Sequence, residues 1–256
     1  MSGTIRIERV KTTLPDGTGM QLRPRFVGRL GLADGVTVAN AALGFVAAVA
    51  ASIDPSWAAR LVLLAAIADG LDGVVARLYG STRVGEYVDS LADVASFSVA
   101  PAVFVFWVVR DGWGLSLSSL SPEAVLAVGI PAAFVAAGVV RLAMYTAYDL
   151  EERTTRGVQT TLAATLLATV YLSGLTDPAL LLAVTAVFTY LMVTAIEYPE
   201  LTERDALAMG VVQAGAVLAP TLAGRLFPRL LLAGALAYFL LAPRFYWRGE
   251  TEGKRS

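Results

Sequence analysis

The sequence predicts an all-α fold: a polytopic membrane bundle of about eight transmembrane helices. Three observations carry that expectation. Apolar residues make up 56% of the 256-residue chain and charged residues 16%, against roughly 45–50% and 25% in soluble proteins. Mean hydropathy is +0.65, and a soluble globule with this composition would lack the polar surface to cover its core. The apolar surplus falls in blocks of roughly 18–24 residues, the length a helix needs to cross a bilayer.

The elements follow in order. Residues 1–35 are polar and broken by Gly and Pro, so the first apolar block begins too late for a signal peptide. This segment reads as an N-terminal arm. Within it, Gln21–Asp34 interleaves Arg23, Arg25 and Arg29 with Leu22, Phe26, Val27, Leu30 and Leu32. That pattern fits a juxtamembrane amphipathic helix with its basic side toward lipid phosphates, or a plain basic flank before a span. Spans are expected near 36–53, 58–78, 86–109, 123–146, 157–175, 179–196, 205–223 and 226–243, within a membrane domain over 36–245 followed by a tail at 246–256.

An even number of spans puts both termini on one side. Lys and Arg concentrate there, from Arg6, Arg9 and Lys11 through Arg77, Arg83, Arg153 and Arg204 to Lys254 and Arg255. The other side holds only Arg60, Arg110, Arg225 and Arg229, and Arg141 falls inside a span. By the positive-inside rule both termini lie in the cytoplasm, and the protein is a multi-pass component of the cell membrane. Trp57, Trp107 and Trp113 then mark the outer interface and Trp247 the inner one.

What is missing restricts the chemistry. With no Cys and no His there is no disulfide framework, no thiolate nucleophile, no imidazole base and no histidine-ligated metal. A net charge of −1 argues against nucleic acid as a partner. Chemistry must rest on carboxylates, Arg, Lys, Tyr or hydroxyls.

Spans two and three break the apolar rule in one place. Asp69 and Asp72 stand inside an otherwise apolar helix, spaced i, i+3 on one face. Asp89 and Asp93, spaced i, i+4, open the next helix, and a short loop makes the two pairs face each other. An Asp at membrane depth costs roughly 2.5–3.5 kcal/mol on insertion scales, so helix capping into cytosolic water explains one such residue better than two. Four clustered carboxylates repel one another, and Arg77 and Arg83 supply too little positive charge to offset them. All-oxygen ligation favours a hard divalent cation, Mg²⁺ or Mn²⁺. Gly70, Gly73, Ala76 and Gly85 keep the same faces small, which suits a metal-bound diphosphate with a nucleobase beside it.

The pattern Asp69-x-x-Asp72-Gly73-x-x-Ala76-Arg77, then Gly85-x-x-x-Asp89-x-x-x-Asp93, resembles the signature of the CDP-alcohol phosphotransferases. One departure is visible: seven residues, Leu78 to Val84, separate the Arg from the second Gly, where the family usually has eight. The resemblance implies displacement of CMP from a CDP-activated lipid by an alcohol. It implies that Asp69, Asp72, Asp89 and Asp93 hold the metal ions, with Asp93 also the general base. Gly73, Ala76 and Gly85 would line the cytidine pocket, Arg77 would steady the phosphates, and the protein would be a homodimer, as the family commonly is.

Residues 89–102 resemble the phosphatidylserine synthase branch of that family, with Ser98 in place of a usual Gly. Thr37-x-x-Asn40-x-x-x-Gly44, Arg141-Leu142-Ala143 and Gly157–Thr161 resemble the same branch. The implied partners are a CDP-lipid, either CDP-diacylglycerol or CDP-archaeol, and L-serine. Acidic loops, scarce lysine and the lack of Cys also fit a salt-adapted archaeon, whose product would be archaetidylserine.

Thr37 and Asn40 either contact the CDP-lipid or hydrogen-bond a neighbouring helix. Arg141 either binds the acceptor carboxylate or snorkels to the headgroups. The acidic stretches at Asp149–Glu152 and Glu197–Asp205 read as solvated faces. A phosphorylated acceptor, glycerol phosphate or inositol phosphate, is a second reading, although spans four to six offer few arginines for it. A cation transporter is a third, although the acids are confined to one helix pair and the second half does not mirror them. The two helices past the six-helix family core have no functional account in the sequence.

Overall fold

Three helices start with the same device. Asp54, Ser121 and Asp177 each precede a proline, and each caps its helix through a side-chain oxygen. Asp54 Oδ1 accepts from Ser56 N at 2.8 Å, Ser121 Oγ from Ala124 N at 3.2 Å, and Asp177 Oδ1 from Leu180 N at 2.7 Å. Proline tolerates the first helical position because its missing N–H would have no intrahelical partner. Each cap is worth about 1 kcal/mol.

The computed structural model describes residues 29–80, 82–116, 118, 121–149, 154–199 and 203–245. Helix α1 (Leu32–Ala51) is followed by α2 (Pro55–Tyr79). Helix α3 (Gly85–Asp93) runs through a π-helical segment, Val94–Val99, into α4 (Ala100–Gly112), and the three form one rod. Helix α5 (Pro122–Met144) is extended by a second π-helical segment, Tyr145–Asp149. Strand β1 (Thr154–Arg156) leads to α6 (Thr160–Leu172) and α7 (Pro178–Leu191). Strand β2 (Glu197–Pro199) leads to α8 (Glu203–Leu218) and α9 (Leu222–Phe245).

Helical rods therefore stand at all the positions where the sequence places spans. Among the described residues, four are long and apolar enough to cross a membrane: Leu32–Ala51, Gly85–Gly112, Pro122–Tyr148 and Leu222–Arg244. Helices α6 and α7 are apolar but shorter, with 13 and 14 residues.

Helix α6 lies in the core, with Ala163, Leu166 and Leu167 among its buried side chains. Phe97, Phe104, Phe134, Leu63 and Leu181 belong to the same buried core. Helix α1 approaches the π-helical segment so closely that a Cβ on Gly44 would lie 2.8 Å from the Cα of Ser96. Glycine there lets two backbones meet, as membrane helices often require. Helix α9 exposes Leu226, Leu230, Leu240 and Leu241, the composition of a lipid-facing surface. Two of the tryptophans expected at the outer interface hold an arginine over the ring, Arg60 on Trp57 at 4.1 Å and Arg110 on Trp107 at 4.7 Å.

Several boundaries differ from expectation. Helix α1 begins at Leu32, so the last residues assigned to the arm belong to the first helix. Residues 21–28, most of the expected amphipathic helix, lie outside the described residues, as do the tail at 246–256 and Trp247. Gly157 has φ +75° and opens a turn rather than a span. In the stretch Glu197–Asp205 the acids Glu197 and Asp205 are exposed as expected, but Glu197–Pro199 forms a strand that turns two residues inward. It pairs antiparallel with β1 in the register Thr155↔Tyr198, and Tyr198 and Pro199 are buried while Glu197 is exposed. Two apolar residues beside one acid suffice to turn the segment inward.

Candidate active site

The acids meet where α2 ends and α3 begins. Asp69, Asp89 and Asp93 each present a carboxylate oxygen, and these oxygens all lie within 4.8 Å of one another. The helix spacing explains this. Asp89 and Asp93 are one turn apart on α3, and Asp69 faces them from α2 across a short connection. Asp93 is buried, and its Oδ1 has no hydrogen-bond partner. A buried oxygen without a donor is costly unless something else satisfies it. Three carboxylates this close, one carrying an orphaned oxygen, fit a hard divalent cation.

Asp72 stands slightly apart from that trio. It is buried, and its Oδ2 lies 2.8 Å from Thr37 Oγ1, which donates to it. Thr37 Oγ1 also lies 3.1 Å from Ala33 O. A hydroxyl has one proton, and the shorter contact, to a carboxylate, takes it.

Of the two α1 residues singled out in the sequence, Thr37 therefore bonds a neighbouring helix. Asn40 behaves differently. Its backbone carbonyl accepts from Ser96 Oγ at 2.8 Å, but both polar atoms of its fully buried amide lack a partner.

Gly70 and Gly73 leave open space on α2: nothing lies within 4 Å of a Cβ built on Gly70, and only Arg77 Nη1, at 3.8 Å, near one on Gly73. Ala76 is half-buried and Arg77 exposed on the same helix. Gly85 packs elsewhere. A Cβ there would sit 3.1 Å from Asp34 Oδ1.

Asp34 is a residue the sequence reading missed. Its Oδ2 accepts from Gly31 N and from Thr82 Oγ1, both at 2.8 Å. It thus caps α1 and fastens the short loop between α2 and α3 to that cap. The available signal was an acid three residues after Gly31 at the start of an apolar run, the spacing of a helix N-terminus.

Arg141 lies near the end of α5 and is buried. Its Nη2 donates to Thr155 Oγ1 of β1 at 2.8 Å, and its guanidinium lies 5.2 Å from the Tyr145 ring centroid. One turn earlier on α5, Gly138 packs on Ser98, and a Cβ there would come within 2.2 Å of Ser98 Oγ. Ser98 Oγ and Thr160 Oγ1, both buried, have no partner. Nothing in the spacing of residues signals that Thr155 meets Arg141, because that contact depends on the β1–β2 pair.

Residues 30–196 match the family model of the CDP-alcohol phosphatidyltransferases. The chain belongs to this family. Among curated relatives, the archaetidylserine synthase of Methanothermobacter thermautotrophicus is 30% identical over 175 residues, covering 66% of this chain and 70% of that protein. The CDP-diacylglycerol–serine O-phosphatidyltransferase of Mycobacterium leprae is 55% identical over 53 residues, 20% of this chain and 18% of that one. The Helicobacter pylori protein of the same name is 38% identical over 86 residues, 33% and 32% of the two chains. This phosphatidyltransferase is thus a membrane enzyme, and membership sets the transporter reading aside. Helices α8 and α9 lie beyond the matched residues.

Proposed function

We propose that the enzyme transfers a phosphatidyl or archaetidyl group from a CDP-activated lipid to L-serine, releasing CMP. The observation that carries this reading is the convergence of Asp69, Asp89 and Asp93 within 4.8 Å, in a bundle that also buries an arginine, Arg141. Serine as acceptor is supported by the names of the relatives and by the burial of Arg141, held by Thr155 and Tyr145 near the end of α5.

Asp69, Asp89 and Asp93 would hold Mg²⁺ or Mn²⁺, with Asp72 completing the set through the orientation Thr37 gives it. When bound, the metal neutralises the diphosphate and polarises the phosphorus under attack. The residues of the chain do the rest. Asp93 accepts the proton of the serine hydroxyl, whose oxygen forms a bond to the lipid-side phosphorus. The bond from that phosphorus to the bridging oxygen breaks, and CMP leaves with the electron pair. Arg141 holds the serine carboxylate, a planar partner suited to a guanidinium. Gly73 and Ala76 border the cytidine site, Arg77 steadies the phosphates, and the unpartnered amide of Asn40 supplies donors and an acceptor to the nucleotide. The site opens to the cytoplasm of a cell membrane, where serine is available, and the lipid enters from the bilayer. The reading also includes a homodimer.

The test is CMP release by the purified protein in detergent with a CDP-lipid and Mn²⁺, with and without L-serine. Serine-dependent release is expected, and paired diacyl and archaeol substrates identify the lipid. Release with glycerol phosphate or inositol phosphate but not with serine would move the acceptor and leave the aspartates in place. EDTA should abolish turnover and Mg²⁺ or Mn²⁺ should restore it, and activity indifferent to chelator would remove the metal.

A further inference from the structure

Helices α8 and α9 have no task in the reaction as derived above. We infer that they are a brace which, through the β1–β2 pair, fixes Arg141 beside the reaction centre and so sets affinity for the acceptor. The inference rests on Arg141 being the anchor for the acceptor.

The connection can be followed contact by contact. Strands β1 and β2 have three residues each, too few for a two-stranded ribbon to stand alone in water. Other elements must hold it. At one end, Gly157 N donates to Ile196 O at 2.8 Å and Val158 N to Leu191 O at 3.1 Å. Gly157 is required there, because a Cβ would fall within 2.2 Å of Met192 O. At the other end the holding groups come from α9. Tyr238 OH donates to Pro199 O at 2.6 Å, and the Phe239 ring lies nearly parallel to that of Tyr198, with centroids 6.4 Å apart and planes 9° apart.

Tyr198 is the register partner of Thr155, and Thr155 Oγ1 takes the hydrogen bond from Arg141 Nη2. A long arginine in an apolar bundle otherwise drifts toward the headgroups. Here its far end is tied to a strand, and that strand is tied through its partner to α9.

The brace is itself anchored to the catalytic core. Gln213 Nε2 of α8 donates to Leu63 O at 2.7 Å, and Arg60 Nε of α2 donates to Val217 O at 2.6 Å. Arg225 Nη1 of α9 donates to Leu172 O at 3.0 Å. A closed circuit results. It runs from α2, which carries Asp69, through α8, α9, β2 and β1 to Arg141 on α5, and α5 packs on the π-helical turn that follows Asp93.

The test uses the full-length enzyme. Tyr238→Phe removes one hydroxyl and keeps the ring. It should raise KM for serine about three- to tenfold, the range a single hydrogen bond spans, while kcat and KM for the CDP-lipid change less than twofold. Thr155→Val should raise serine KM at least as much. The double variant should add nothing to Thr155→Val, because both changes act through one contact. Phe239→Leu serves as a second, independent loosening of the same strand and should give the same split.

Hydrogen exchange at the Thr155 and Arg156 amides reads the link without turnover, and both α9 variants should speed it. An unchanged serine KM in Tyr238→Phe, an equal rise in both KM values, multiplying effects in the double variant or unchanged exchange would each overturn the inference. If the wild-type enzyme releases CMP only with another alcohol, serine as acceptor falls. The exchange measurement and the same split in KM for that alcohol then decide the brace.

Discussion

Asp93 carries the reaction's proton in this reading, and its surroundings make the consequence of altering it specific. Asparagine keeps the size of the side chain and loses the basic oxygen. Asp93→Asn should lower turnover by a factor on the order of 10²–10⁴, the usual contribution of a general base, and leave CDP-lipid affinity within a few-fold. Near-normal kcat with bound substrate would remove Asp93 from that role. Thr37 is a subtler case. Its hydroxyl donates to Asp72 at 2.8 Å, so Thr37→Val leaves a buried carboxylate oxygen without its donor, whereas Thr37→Ser keeps the bond. The Mn²⁺ concentration for half-maximal activity should rise about tenfold in the first variant, as loss of a hydrogen bond to a charged group implies, and stay near wild type in the second. The four aspartates are legible in the sequence because a carboxylate inside an apolar helix stands out by its cost. The bond from Thr37 to Asp72 is not legible, because it depends on how α1 is rotated against α2. Asp34 was overlooked for a related reason. Its partner Thr82 lies 48 residues on, in the loop after α2, and spacing along one chain segment cannot reveal that contact.

Among the elements, the rod from Gly85 to Gly112 shows what pattern reading reaches and where it stops. Its length and apolarity are plain in the sequence, but the π-helical stretch from Val94 to Val99 is not, since its composition is that of an ordinary apolar helix. The wider turn follows directly on Asp93 and includes Ser96 and Ser98, and π-helical turns are often found at functional sites. Gly138 of α5 lies against this turn. Gly138→Ala would drive a methyl group into Ser98 Oγ and should destabilise the protein by about 1–3 kcal/mol, the range for overpacking a tight interior. Restoring glycine at position 98, the residue the family usually has there, removes the obstacle. Ser98→Gly in the Gly138→Ala background should recover most of the lost thermal stability, and a double variant no more stable than Gly138→Ala would show that the two residues do not oppose each other. The β1–β2 pair was illegible because its strands are three residues long and flanked by acids. The alternation that marks a strand needs a longer run.

For the whole molecule, the number of membrane crossings is the quantity the helices leave open. Helix α6 has 13 residues, about 20 Å at 1.5 Å per residue, against a hydrocarbon core of about 30 Å. It can cross only if the non-helical backbone beside it, 157–159 and Ser173, continues the path while buried in protein, where non-helical backbone is tolerated at membrane depth, with the exposed residues 174–177 already at the membrane surface. Burial of Gly157, Val158 and Ser173 agrees with that course. Eight crossings then require the α4–α5, α6–α7 and α8–α9 connections to face outward and the α2–α3 and α7–α8 connections to face the cytoplasm. The chain has no cysteine, so single cysteines report sidedness without background. Ser118, Thr176 and Thr221 are exposed on the first group of connections, and Arg83 and Arg204 on or beside the second. In intact cells, an impermeant maleimide should label Ser118→Cys, Thr176→Cys and Thr221→Cys, while Arg83→Cys and Arg204→Cys should react only after the membrane is opened. Labelling of Ser118→Cys but not of Thr176→Cys would mean that α6 and α7 form a re-entrant pair, reducing the count to six without moving the aspartates. Labelling of Arg83→Cys from outside would invert the molecule and place the active site away from the cytosolic serine on which the proposed reaction depends.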